Sequence, residues 1–361
     1  MTVSASGRHQ IAFMVAGQLG KINHVVVTVS LLAEVFHKYL YLGVMPATHL
    51  LTLSQLMALV TVNGMRADRW PNAKYTQAII IGVGGLGGNY FTNTSDDQAP
   101  HLWEMLNSDR SCFNHLARTV YPPSTLPTWA STLTGMTPAE TGIVNDDWYR
   151  YYLNPAFLND TGTPPISGRK KRPLPTIFSM AKELDEDIRT AYFVSSPVLS
   201  ELGEHAQDVA GTADDETITR SLIALLESDD FPHLSFIELS GLANAARATY
   251  YGSDEYYQAL KRIDGIIGEI RDAVLRRSDV FETLIVITSN HGGYRNGHEV
   301  WMLPTAQVHI SFSNVRNPIE VPGDSDWGGW LDIKEVAPSV LGAMGIPVTR
   351  YQAGRDHSYR F

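Results

Sequence analysis

Three side chains in this sequence combine reactive chemistry with turn-rich surroundings. Thr125 lies in the segment 121–148, YPPSTLPTWASTLTGMTPAETGIVNDDW, and His291 and His298 lie in Ser289-Asn290-His291-Gly292 and Gly297-His298. An alcohol attacks an ester centre only when a base or a metal ion takes up its proton, because its own pKa is far above neutrality. His291 offers an imidazole for that task. A divalent ion would need carboxylates or further imidazoles to offset its desolvation. A second pattern, Gly82-Val83-Gly84-Gly85-Leu86-Gly87, has the spacing of a phosphate-cradling turn. It lacks the second strand ending in an acid about 20 residues on that dinucleotide binding requires, and Asn93-Thr94-Ser95-Asp96-Asp97 reads as a loop instead.

These residues need a frame, and the body of the chain supplies one. Arg66 to Lys74 reads as a linker. Apolar runs at Ala78–Val83, Thr190–Ser195, Leu234–Leu239, Thr283–Ser289 and Gln307–Ser313 read as buried strands. Helical patterns separate them: Ala99–Leu106, Pro175–Leu184, Thr217–Leu226, a long helix capped by Ser253 and running to about Arg277, and Ile333–Met344 before Gly345. The long helix carries Tyr257, Leu260, Ile263, Ile267, Ile270 and Val274 along one stripe. Strands alternating with helices predict a mainly parallel sheet covered on both faces. Function in such sheets gathers just beyond the strand ends, which is where Gly84, Ser240 and Asn290 fall.

The segment 121–148 resembles the nucleophile region of the alkaline phosphatase superfamily, in its type I phosphodiesterase/nucleotide pyrophosphatase and sulfatase-like branch. Thr125 takes the nucleophile place, Pro127 follows it, Thr134-Gly135 gives the turn and Pro138-Ala139-Glu140-Thr141-Gly142 the closing element. The order of further pieces supports the resemblance from about Ala78 to Gly354: Ala99-Pro100-His101-Leu102-Trp103, Pro175-Thr176-Ile177-Phe178, the helix Tyr256–Ile270, and Asp332 to Pro347. The resemblance implies an α/β, alkaline phosphatase-like fold and a hydrolase of phosphodiesters or sulfate esters that works through paired metal ions.

It also implies a ligand set, and this chain departs from it. Where the family ends its first strand in Asp, this chain has Gly84. Where the family has Asp-x-x-Gly-His, this chain has Ser240-Gly241-Leu242-Ala243-Asn244. Its Ser-Asp-His-Gly is Ser289-Asn290-His291-Gly292, and its final His is His298, followed by Glu299. The Asn that steadies phosphate is Thr128, and the His before the glycine is Thr141. Thr125, His291 and His298 remain as vestiges, while Gly84, Ser240, Asn244 and Asn290 are degenerate ligand positions. Even the loss of a residue that only orients a metal ligand typically costs about 10–100-fold, so the expectation is no bound metal, no cofactor and no catalytic residue. Glu238, Glu299, Asp146 and Asp147 are the acids that could refill the vacancies. The structural reading of the survivors is plain: Thr125 caps a helix, and His291 and His298 line a filled pocket.

Composition narrows the setting. The net charge of −10 argues against a general nucleic-acid binder, and a single cysteine, Cys112, excludes an internal disulfide framework. Glycosylation-type triplets at Asn93 and Asn159 carry little weight. The first 65 residues hold only Arg8, Lys21, Glu34 and Lys38 as charged residues, and Tyr39 to Met65 is a run of 27 without formal charge. An acid-poor start suits a mitochondrial address, although this one is poor in arginine; a start retained in the chain and pinned by a partner is the expectation. His24 to Met45 is apolar nearly all round and ends at Pro46; Ala47 to Val62 is a second helical stretch closed by Asn63-Gly64. Helices apolar on every side need cover on every side. Glu34 and Lys38 can pair at i, i+4, yet each charge inside a lone span costs about 2.5–3.5 kcal/mol. The basic run Arg169-Lys170-Lys171-Arg172 is a solvated loop or a contact for anionic lipid.

The organisation expected is therefore a hydrophobic helical extension and linker over residues 1–74, then an alkaline phosphatase/phosphodiesterase-like domain over residues 75–361. The function expected is a pseudoenzyme: a structural accessory subunit of a larger, membrane-associated complex, in a mitochondrial inner membrane assembly such as a respiratory complex or ATP synthase. Protein subunits dock through residues 22–62, with possible lipid contact. The alternative is a metal-dependent hydrolase with Thr125 as nucleophile.

Overall fold

The structure is a computed structural model, and it describes residues 73–147, 174–203, 208–278, 281–297, 303–324, 327, 330–348 and 352–361. The expected helices within residues 22–62, the basic run 169–172, Asn159, His298 and Glu299 lie outside the described residues.

Eight strands join in one sheet: β1 Gln77–Val83, β2 Ser111–Arg118, β3 Thr190–Val194, β4 Val209–Thr212, β5 Leu234–Leu239, β6 Thr283–Thr288, β7 Gln307–Asn314 and β8 Gly323–Asp324. Their order is β4-β3-β5-β1-β6-β7-β2-β8. Every pairing is parallel except those of β7, which runs antiparallel to both β6 and β2. β1 lies between β5 and β6, with Gly82 opposite Glu238 on one side and Thr288 on the other. Continuous apolar runs suit such strands because both faces are covered: β1, β3, β5 and β6 are buried along their whole length.

The helices that bear on the site are α1 Pro100–Leu106, α2 Thr125–Thr134, α3 Ile177–Leu184, α4 Asp215–Glu227, α5 Gly241–Ala248, α6 Asp254–Leu275 and α7 Val336–Ala343. On one face Ile79, Ile81 and Val83 of β1 pack with Ile237, Leu239, Ile285 and Ile287 against Ile263, Ile267 and Ile270 of α6 and Ile218 and Leu222 of α4. The opposite face receives α2. Trp129 is fully buried there, 5.4 Å from Phe236 between ring centroids. A Cβ on Gly82 would come within 2.5 Å of the Trp129 ring. Glycine at 82 thus answers a packing need, which accounts for the first residue of the phosphate-cradle pattern without a phosphate.

Among the described residues the expected strands and helices appear, with ends shifted by a few residues. The sheet also contains strands that the sequence pattern missed. β2 reads SCFNHLAR, with polar residues at two of its buried positions, and β4 is four residues long and mostly exposed. The stretch from Gly241 to Ala248 is a helix, α5, that the sequence pattern did not mark.

Candidate functional site

Gly84, Ser240, Asn244, Asn290 and His291 follow the carboxyl ends of β1, β5 and β6. Gly84 follows β1 directly and donates its amide to Leu239 O at 2.9 Å. Gly85 follows with φ +80, a left-handed backbone that favours glycine. Its amide donates to Asn290 Oδ1 at 3.1 Å. Asn290 Oδ1 also accepts from the amide of His291 at 3.0 Å, and the Asn290 carbonyl accepts from the Thr119 hydroxyl. The Ser289 hydroxyl accepts from Leu86 N at 2.9 Å and donates to the His291 carbonyl at 3.1 Å. His291 is completely buried, with Nδ1 2.7 Å from the Gly292 carbonyl. The loop after β6 is thereby stitched to the loop after β1.

A second cluster forms at the end of β5. Ser240 precedes α5, and Asn244 lies one turn further on, so both side chains share a face. Asn244 Nδ2 donates to Ser240 Oγ at 3.1 Å, and Asn244 Oδ1 accepts from Arg247 at 2.7 Å. Ser240 is buried, while Asn244 is exposed. Ser195, just past β3, donates its hydroxyl to Ser240 Oγ at 2.8 Å and accepts from Ser240 N at 2.7 Å. Asp215, at the start of α4, accepts from Ser240 N at 3.0 Å and Gly241 N at 2.9 Å. A carboxylate at that end of α5 complements both the free amides and the helix dipole.

Glu238 bridges the two clusters. It is 1% exposed, near the end of β5. Its Oε2 accepts from the amides of Ser195 at 3.1 Å and Ser196 at 2.9 Å, and its Oε1 from the Ser196 hydroxyl at 2.8 Å. Burial pushes its carboxyl above the usual range, opposed by the Ser196 and Ser195 donors and aided by the charge of Asp215.

Thr125 belongs to another element. It is the first residue of α2, buried, and Leu126 beside it donates its amide to Asp146 Oδ1 at 2.7 Å. Thr128 turns its hydroxyl back onto the carbonyl of Thr125 at 3.0 Å and onto that of Ser124. Thr141 closes the short helix Pro138–Thr141, accepting from Ile143 N at 3.2 Å. Of the acids considered as replacements, Glu238 lies beside Gly84, Asp146 caps α2, and Asp147 is exposed.

Three contributors escaped the sequence reading. Ser195, just past β3, and Asp215, the first residue of α4, lie far from the motifs in sequence, and only the sheet order brings them to β5. Tyr251 is the third. Its ring would collide with a Cβ on Gly293, at 2.0 Å, and its hydroxyl lies 3.1 Å from the Cβ position of Gly85. Ala243 of α5 fills the same space, 3.5 Å from the Cβ position of Gly84. Paired glycines at 84–85 and 292–293 were the available signal that side chains from elsewhere would press in.

Solved structures share this architecture. A murine ectonucleotide pyrophosphatase/phosphodiesterase 5, in an inactive form with AMP, superposes with a TM-score of 0.58 over 79% of this chain and 98% of its own, at 8% identity. The lipoteichoic acid synthase LtaP of Listeria monocytogenes gives 0.57 over 82% and 81% at 13% identity. A 2-O GAG sulfatase gives 0.54 over 79% and 73% at 12% identity. At these identities the likeness is one of fold, that of the alkaline phosphatase superfamily. A search of curated proteins finds no match. The family model for type I phosphodiesterase / nucleotide pyrophosphatase matches residues 78–302. That match spans more than half of the chain, and the chain belongs to the type I phosphodiesterase/nucleotide pyrophosphatase family.

Proposed function

We propose that this chain keeps the family's fold without its two-metal chemistry and serves as a structural accessory subunit of a larger assembly. One observation carries the reading: the side-chain oxygens of Asn290 and Ser240, which stand at family ligand positions, are neutral and already engaged by protein donors. Asn290 Oδ1 holds two backbone amides, and Ser240 Oγ holds Ser195 and Asn244. Gly84 brings no donor atom, and its surroundings are filled by Ala243, Leu239 O and Glu238. Such a set does not fit paired dications, which require anionic ligands in exchange for their water. The Thr125 hydroxyl then has no metal to lower its pKa.

The partners proposed are protein subunits contacting residues 22–62, with lipid contact in a membrane-associated complex; a mitochondrial inner membrane assembly, respiratory or ATP synthase, is the setting that the acid-poor start of the chain suits. Among the described residues no helix is long and apolar enough to cross a membrane.

A second reading has its own support. Family membership, together with neighbours named as a phosphodiesterase and a sulfatase, favours a metal-dependent hydrolase with Thr125 as nucleophile. One experiment separates the two: metal analysis of the purified full chain combined with an aryl phosphodiester assay on the wild type and Thr125→Ala. Stoichiometric zinc or manganese, with turnover that disappears in Thr125→Ala, establishes the hydrolase and overturns the first reading. Metal-free protein whose trace turnover is equal in both chains supports it.

A further inference from the structure

We infer that Glu238 locks the strand-end site in its metal-free form, its carboxylate occupying the surroundings that an acidic side chain on residue 84 would need. The inference rests on the reading that the site works without paired cations. An ideal Cβ on Gly84 would lie 3.5 Å from Ala243 Cβ, 3.5 Å from the Leu239 carbonyl oxygen and 3.6 Å from Glu238 Oε1. These are ordinary contact distances, and the backbone of Gly84 is one that other residues adopt. Shape therefore admits a Cβ at 84. The obstacle to an acidic side chain there is charge: two of the three nearest atoms are oxygens, and one belongs to a buried carboxylate.

Glu238 cannot easily withdraw. It is fixed by the amides of Ser195 and Ser196 and by the Ser196 hydroxyl. A second acid, Asp215, adds to the negative field while holding the start of α5. Among the described residues neither carboxylate is hydrogen-bonded to a cationic side chain. Two carboxylates buried in direct contact cannot both ionise without a large penalty. Positions 84 and 238 are thus coupled: an acid at one excludes an acid at the other. An aspartate restored at 84 does not rebuild half a metal site while Glu238 is present; it sets two like charges against each other.

The test is a double-mutant cycle on the full chain, read as melting temperature near neutral pH with a chelator present. The versions are wild type, Gly84→Asn, Gly84→Asp, Glu238→Gln and the double Gly84→Asp/Glu238→Gln. Gly84→Asn, of equal size and no charge, is expected within a few degrees of wild type. Gly84→Asp is expected several degrees below Gly84→Asn, and the double should recover most of that gap relative to Glu238→Gln alone. Equal melting of Gly84→Asp and Gly84→Asn overturns the inference, as does a double variant that loses the sum of both single effects. Should Gly84→Asp fail to fold, a folded double supports the coupling and an unfolded one overturns it. Metal or turnover in the wild type would count against the proposed function, whereas the cycle alone decides the coupling.

Discussion

The side-chain oxygen of Asn290 lies 3.1 Å from the amide nitrogen of Gly85, across the gap between two neighbouring strand ends. The same oxygen takes the amide of His291. Both amides are buried, so truncating the side chain strands them without a partner. Asn290→Ala is expected to lower unfolding stability by about 1–3 kcal/mol, the cost of leaving buried donors unsatisfied. Asn290→Asp keeps an acceptor for both amides but adds a buried charge, so it too should fall below wild type. Urea unfolding of the three proteins checks this; an Asn290→Ala midpoint equal to wild type would remove Asn290 from the bond network assigned to it.

Trp129 and Gly82 test the other side of the site. The indole fills the space over β1 that glycine leaves. Trp129→Ala should cost about 3–5 kcal/mol as a large buried aromatic is deleted. Gly82→Ala pushes a methyl to within 2.5 Å of the ring, and overpacking of this kind costs about 1–3 kcal/mol. Combined with Trp129→Ala, the Gly82→Ala penalty should largely vanish, since the clash partner is gone. Denaturant melts of the four-member cycle measure it, and a Gly82→Ala cost that persists in the Trp129→Ala background would refute the packing account.

The core strands were legible because their signal is local. AIIIGV, LSFIEL and TLIVIT are continuous apolar runs of strand length, and a parallel sheet demands such runs. The amphipathic stripe of α6 announced itself in the same way. β2 did not, because its buried His115 and partly buried Asn114 break the run, and their burial depends on pairing with β7, far away in sequence. The positions of Gly84, Ser240 and Asn290 could be placed at strand ends from pattern alone. What faces them could not: Ser195, Asp215 and Tyr251 arrive by the sheet order and by the fold of α5, and no residue spacing encodes that. The identity of Glu238 as the neighbour of Gly84 required the β1–β5 register.

If the strand ends are tied by hydrogen bonds in place of cations, stability should be indifferent to metal. Melting temperature is expected to be unchanged by a strong chelator and by added zinc or manganese at stoichiometric excess. A ligand bound only by the native state, at 100 times its Kd, would add about 2.7 kcal/mol, which differential scanning calorimetry resolves easily. A chelator-induced fall in melting temperature would contradict the reading of a site satisfied by its own hydrogen bonds.

His115 and His309 provide a test by pH. They stand on the paired strands β2 and β7, with their Nδ1 atoms 3.0 Å apart and ring centroids 4.9 Å apart, walled by Phe91 and Phe113. One ring donates to the other across Nδ1–Nδ1; a further proton taken up at a remaining ring nitrogen places a charge among aromatics. Burial pulls His115 down to about 4 and holds His309 well below the ordinary histidine range, with the His115 neighbour adding to the effect. The unfolded chain titrates near about 6.5. Between those limits the unfolded state binds more protons than the folded one, so stability is full above the unfolded pKa and falls as pH drops toward 4. Each histidine contributes a slope of up to about 1.4 kcal/mol per pH unit. Replacing both, as His115→Phe/His309→Phe, should flatten the decline between neutral and mildly acidic pH, because the carboxylates that also titrate there are common to both proteins. Urea unfolding free energies measured across that range decide the matter, and parallel curves for the two proteins would show that the pair is not what makes the fold acid-sensitive.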